Sequence, residues 1–175
     1  FTISGSKPVL AQVTAVPTPT NDNTSNYSFS STKSGTISYG GSCSSDNTST
    51  AVSSTLDNIT VTFNALADGT YSNCTIQVTD NASHTSDNLS VNSFTIDTVK
   101  PALAQVTAVV DNASDATPSY TFNSTESGSI TYGGSCSSST SSASTGHNTI
   151  SFNQLADGTY SNCKISVRDS AGNTS

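Results

Sequence analysis

Four cysteines, two histidines and twelve acids are the side chains of this 175-residue chain with chemistry to offer. The cysteines occupy two pairs of matching settings. Cys43 and Cys136 each close a Tyr-Gly-Gly-Ser-Cys run, and Cys74 and Cys163 each close Ala-Asp-Gly-Thr-Tyr-Ser-Asn-Cys. None belongs to a C-x-x-C cluster of the kind that grips a metal, so the four read as disulfides and imply an oxidising compartment. That reading leaves no thiol as a nucleophile. His84 sits in a hairpin loop and His147 just before a strand, so the two are not equivalent. No acids pair at the fixed short spacing that general acid–base work needs. The chain is not expected to be an enzyme.

The elements that position these residues come from a duplication. Lys7-Pro8 and Lys100-Pro101 open matching runs 93 residues apart, Val9–Val16 and Ala102–Val109. At Ala67–Cys74 and Ala156–Cys163, identical over eight residues, the offset is 89, so the second copy is four residues shorter in the loop after Cys136. A repeat of turn, aromatic anchor and cysteine is a repeat of a domain. Residues 7–99 are expected to form a first repeat and 100–175 a second one without its last strand. Residues 1–6 read as the tail of a preceding repeat, because Phe1-Thr2-Ile3-Ser4 matches Phe94-Thr95-Ile96-Asp97. The chain thus reads as a segment of something longer.

Composition narrows the class. Hydrophobic residues make up 32% and charged residues 10%, the rest being dominated by Ser, Thr, Asn and Gly. Low charge with many short β-branched runs indicates an all-β protein rather than disorder. A net charge of −7 with five Lys plus Arg excludes an electrostatic nucleic-acid binder. No apolar run approaches membrane-spanning length.

Along the first repeat, Val9–Val16 reads as a strand, with Leu10 and Val13 breaking strict alternation. Tyr27 to Ser31 and Ile59 to Phe63 alternate cleanly. Thr36 to Tyr39, Tyr71 to Thr79 and Leu89 to Ile96 complete the set. Residues 44–57 read as a flexible low-complexity crossing loop. The second repeat offers Ala102–Val109, Tyr120–Asn123, Ser129–Tyr132, Thr149–Phe152 and Thr159–Val167. Six or seven short strands at regular spacing suggest a β-sandwich.

Asp-Gly-Thr-Tyr, then Val-x-Asp-x-Ala-Gly-Asn (Val167 to Asn173), then Phe-Thr-Ile-Asp-Thr (Phe94 to Thr98) and Pro101 resemble the bacterial immunoglobulin-like repeats of giant surface adhesins. The resemblance implies two tandem immunoglobulin-like sandwiches in an extracellular cell-surface or secreted protein. It departs from antibody domains: Tyr stands three residues before the cysteine, not two, and the second strand carries no cysteine. In such a sandwich the third strand ends and the sixth begins at one pole of one sheet. The implied bridges are Cys43–Cys74 and Cys136–Cys163, each worth about 3–4 kcal/mol in the chain-entropy model.

Adhesins of this kind often carry calcium at domain junctions. The implied ligands here are Asp97 in the linker, Glu126 after the second strand, Asp169 and Asn173 in the last loop, and Asp68 at the same pole of the first repeat. These are the hard oxygen donors that Ca²⁺ takes. Lys100 and Arg168 oppose a cation, and the first repeat has Lys33 and His84 where the second has Glu126 and Asn173. Calcium is therefore expected at the central joint only.

The function expected from this reading is mechanical: a stalk or fibre module for cell adhesion, with end-to-end repeats forming a stiff rod. Its partners are neighbouring repeats of the same or identical chains. The alternative is a subunit of an extracellular filament assembled by strand addition. A carbohydrate-binding module ranks below both, because there is no Trp and most Tyr and Phe fall on inward phases.

Overall fold

The computed structural model describes residues 5–50 and 58–175. Phe1–Ser4 and part of the low-complexity stretch after Cys43 lie outside the described residues. The chain divides into two compact units, Phe1–Thr98 and Val99–Ser175. Among the described residues every regular element is a strand. No helix there is long and apolar enough to cross a membrane.

The first unit contains β1 (Leu10–Thr14), β2 (Asn26–Ser31), β3 (Gly35–Gly40), β4 (Ser49–Thr50), β5 (Asn58–Thr62), β6 (Gly69–Tyr71), β7 (Thr75–Asp80), β8 (Leu89–Ser90) and β9 (Phe94–Ile96). They form sheets in the orders β1-β2-β5, β4-β3-β7-β8 and β6-β9. Tyr27 and Phe29 on β2 and Ile59 and Val61 on β5 point inward between exposed or half-buried Ser and Thr, as a one-sided sheet requires. They meet Ile37, Ile76 and Val78 of β3 and β7, and Val91, Phe94 and Ile96, in one core.

The second unit contains β10 (Leu103–Thr107), β11 (Ser119–Ser124), β12 (Gly128–Gly133), β13 (Ser142–Ala143), β14 (Gly146–Ser151) and β15 (Lys164–Arg168). Its sheets run β10-β11-β14 and β13-β12-β15. Phe122, Ile130, Ile150, Phe152 and Val167 are its main buried hydrophobics. Counterparts of β6, β8 and β9 do not occur in it.

Several expected strands have different limits. The single strand anticipated over Tyr71–Thr79 is two, β6 and β7, separated by the Ser72–Cys74 corner. Leu89–Ile96 is likewise two, because β8 pairs with β7 while β9 pairs with β6. The low-complexity stretch contributes β4, paired with Gly35 and Thr36. His147 lies within β14 rather than before it. The broken alternation of the first strand is a bulge: the register passes from Gln12↔Phe29 to Thr14↔Ser28, leaving Val13 45% exposed. The second unit repeats it at Val106.

Candidate functional site

Both expected disulfides form. Cys43–Cys74 and Cys136–Cys163 have Cα separations of 5.3 and 5.2 Å, within the usual range for such bridges. The Gly-Gly turn before each first cysteine makes the approach feasible. Gly41 and Gly134 adopt φ of 75° and 76°, and a Cβ on either would lie 2.0 Å from the carbonyl oxygen of Asn73 or Asn162. Only glycine fits there. The same asparagines accept a hydrogen bond through Oδ1 from the Ser42 and Ser135 amides, at 3.1 Å in both copies. Tyr71 and Tyr160 donate to the carbonyls of Ala67 and Ala156 at 2.8 Å. Turn, anchor and cysteine therefore build one corner twice.

The loop after β7 is organised by Asp80. Its Oδ1 accepts from the amides of Ala82 and His84, both at 2.9 Å. Its Oδ2 meets Lys33 Nζ at 2.8 Å and His84 Nδ1 at 3.2 Å. The Lys33 ammonium, followed by the His84 amide, holds the Asp80 carboxyl far below the usual carboxylate range. Lys33 also donates to the Ser6 carbonyl.

At the equivalent pole of the second unit, Asp169 Oδ1 accepts from the Gly172 and Asn173 amides at 2.7 and 2.9 Å, and Oδ2 from Asn173 Nδ2 at 2.9 Å. Burial pushes Asp169 up, but the hydrogen bonds from the Asn173 side chain and from its loop outweigh it and leave the group lowered. Glu126 stands in the place of Lys33. Its carboxylate comes within 4.8 Å of that of Asp169.

Of the five residues expected to ligate calcium, the second unit thus brings together Glu126, Asp169 and Asn173. Asp169 and Asn173 are mutually bonded as a loop cap. Asp97 and Asp68 belong to the first unit. Asp68 Oδ1 there accepts from the Thr98 amide and hydroxyl at 3.0 and 2.9 Å, and the Asp97 amide donates to the Thr20 carbonyl at 3.0 Å. His84 is engaged with Asp80. His147 is exposed on β14. The exchange of Lys33 for Glu126 is visible in the sequence, but the ion pair behind it is not, because Lys33 and Asp80 are 47 residues apart.

The second unit has an open groove of about 970 Å³ lined by Leu103, Val109, Tyr120, Phe152, Leu155 and Tyr160, among others. In the first unit the matching space is filled by the segment from Leu89 to Ile96. Phe94 stacks between Phe63 and Tyr71 at centroid distances of 6.1 and 5.4 Å. Phe152 and Tyr160, the counterparts of those two rings, have no aromatic between them. The consequence is visible in exposure. Tyr27, Cys74 and Ile76 are buried, whereas Tyr120, Cys163 and Ile165 are only half-buried and Tyr160 is 36% exposed. Comparison with protein-family models, with curated proteins and with solved structures gave no match.

Proposed function

We propose that the chain is a structural module of an extracellular stalk or fibre, built from immunoglobulin-like units in series. The observation that carries this reading is the repeated corner. Each unit clamps the exit of one strand to the entrance of another by a disulfide, beside a tyrosine bonded four residues upstream. Orders β1-β2-β5 and β4-β3-β7-β8 fit the A-B-E and C′-C-F-G sheets of an immunoglobulin sandwich, and a tyrosine corner belongs to the same architecture. Disulfides in small β domains fit a secreted or surface setting, and the Ser/Thr-rich exterior fits a chain that stays hydrated with little charge. Calcium belongs to the proposal as a ligand of the Glu126–Asp169 pole, where hard oxygens gather.

Single-molecule stretching of the whole chain tests the mechanical role. Two separate unfolding events are expected. Reduction lengthens them by about 110 and about 100 Å for the 31- and 27-residue separations, at roughly 3.6 Å per residue. A single soft event with no change on reduction would be incompatible with a stalk module. Millimolar calcium raises the melting temperature of the second unit, and Glu126→Gln removes that rise. An unchanged melt in calcium would remove the ion from the proposal.

A further inference from the structure

We infer that Lys33 couples two segments of the first unit, residues 5–9 and the loop 80–86, into one conformational element, so that loosening either loosens the other. The inference goes beyond the stalk reading and stands or falls separately from it.

The two segments belong to different sheets. Residues 5–9 lead into β1, at one edge of β1-β2-β5, and residues 80–86 continue from β7 in β4-β3-β7-β8. Lys33 stands on the turn from β2 to β3, and its backbone is fixed from both sides. Buried Ser31 donates through Oγ to the Lys33 carbonyl at 2.7 Å and accepts from the Lys33 amide at 3.3 Å. At Gly35 a Cβ would lie 2.1 Å from the Thr79 carbonyl oxygen, so the turn is pressed against the end of β7. From this fixed base the ammonium reaches both ways, to Asp80 Oδ2 at 2.8 Å and to the Ser6 carbonyl. Next along the chain, the Val9 carbonyl accepts from the Thr32 amide at 3.1 Å, and the Val9 amide donates to Thr32 Oγ1 at 3.0 Å.

Magnitudes single out Lys33. A second pair, Lys7 with Asp87 at 2.5 Å, joins the same part of the unit, but its side chains are 51% and 85% exposed, and exposed pairs contribute little. The Lys33 and Asp80 side chains are 23% and 7% exposed, and charge-assisted bonds in such a setting are the strong ones. Asp80 is itself held by the Ala82 and His84 amides and by His84 Nδ1. The loop thus fixes the carboxylate, the carboxylate fixes the ammonium, and the ammonium, with three donors, holds Ser6. The second unit has the same frame without this relay. Ser124 bonds the Glu126 carbonyl at 2.6 Å, and Gly128 is pressed against the Arg168 carbonyl, but an ionised Glu126 side chain has no proton to donate.

Hydrogen exchange of individual amides in the full 175-residue chain tests the coupling. Val9 and Thr32 report on the first segment, and Ala82 and His84 on the loop. Phe63, whose amide donates to the Ser25 carbonyl at 3.1 Å beyond the opposite end of β2, reports on the unit as a whole. Three variants are compared with the native chain. Lys33→Met keeps the apolar stem and removes the charge, Asp80→Asn leaves Lys33 but removes the anchor of its ammonium, and the third carries both. Each single substitution is expected to speed exchange at Val9 and Thr32 about 10-fold or more, the loss of a hydrogen bond to a charged group. Lys33→Met also speeds Ala82 and His84, since coupling is reciprocal. The double variant goes no further than the larger single one, and Phe63 keeps its native rate. Native rates at Val9 and Thr32 in Asp80→Asn, native rates at Ala82 and His84 in Lys33→Met, effects that multiply in the double variant, or equal acceleration at Phe63 would each overturn the proposal.

Discussion

The two units contain the same octapeptide, Ala-Asp-Gly-Thr-Tyr-Ser-Asn-Cys, with two outcomes. In the first, Gly69–Tyr71 is a strand; in the second, Gly158–Tyr160 is not. The local chemistry is identical, down to the tyrosine hydroxyl reaching back four residues at 2.8 Å. What differs is a partner 25 residues further along, Phe94–Ile96. A β-strand is thus a property of a pair, with propensity only permitting it. The loop poles make a second contrast. One acid is answered by a lysine and a histidine; its counterpart is answered by an asparagine and faces a second acid. The units share a frame and differ in how completely the frame is filled and neutralised.

The largest effect should come from making the first unit resemble the second. Phe94→Ala removes the ring that joins Phe63 to Tyr71 and costs about 3–5 kcal/mol, as for other buried aromatics. In calorimetry the native chain should show two transitions, the second unit melting first. The substitution lowers the upper one by ~12 °C or more and leaves the lower one in place. An unmoved upper transition would mean that β9 is not what separates the units.

A smaller contrast is electrostatic. Asp80 and Asp169 both have folded-state values below that of an ordinary aspartate, about 3.9. Each therefore stabilises its unit fully above about pH 5, and the stabilisation is lost as pH falls through the lower folded value. The first unit should lose more, because Lys33 adds an ion pair to the loop hydrogen bonds. Lys33→Glu makes its acid response resemble that of the second unit and lowers its melting temperature at pH 7. Parallel acid responses in native and variant chains would show that the pair is not coupled to folding.

The smallest effect concerns one backbone angle. Ser83 has φ of 66°, where its counterpart Gly172 has 102°. Left-handed geometry costs a non-glycine residue roughly 1–2 kcal/mol, partly offset by the greater unfolded freedom of glycine. Ser83→Gly should raise the urea midpoint of the first unit by the equivalent of about 0.5–1 kcal/mol. A lowered midpoint would show that the Ser83 side chain contributes more than its backbone costs.

Much of the frame was legible in the residues. Alternation of Tyr27 with Phe29, and of Ile59 with Val61 and Phe63, marked the inward faces, and the twin cysteine settings marked the clamps. These are short-period signals that each strand carries alone. The split of Tyr71–Thr79 at the Ser72–Cys74 corner was not legible, because continuous β-formers hide a change of partner. Nor was β4, whose Ser49-Thr50 looks like any polar loop until Gly35 and Thr36 lie opposite it. The Lys33–Asp80 pair needed the fold to bring it together. The candidate acids are visible one by one in the residues, but the engagement of Asp68 with Thr98 depends on a loop geometry that no spacing reveals.

The placement of the disulfides also affects what happens when the backbone is cut. The Ser/Thr-rich stretches that follow Cys43 and Cys136 lie inside the covalent rings closed at Cys74 and Cys163. Such polar, small-residue stretches are where nicking concentrates. One hydrolysed peptide bond between Cys43 and Cys74 opens a ring and leaves the two fragments joined through sulfur. A cut inside either ring therefore does not sever the molecule.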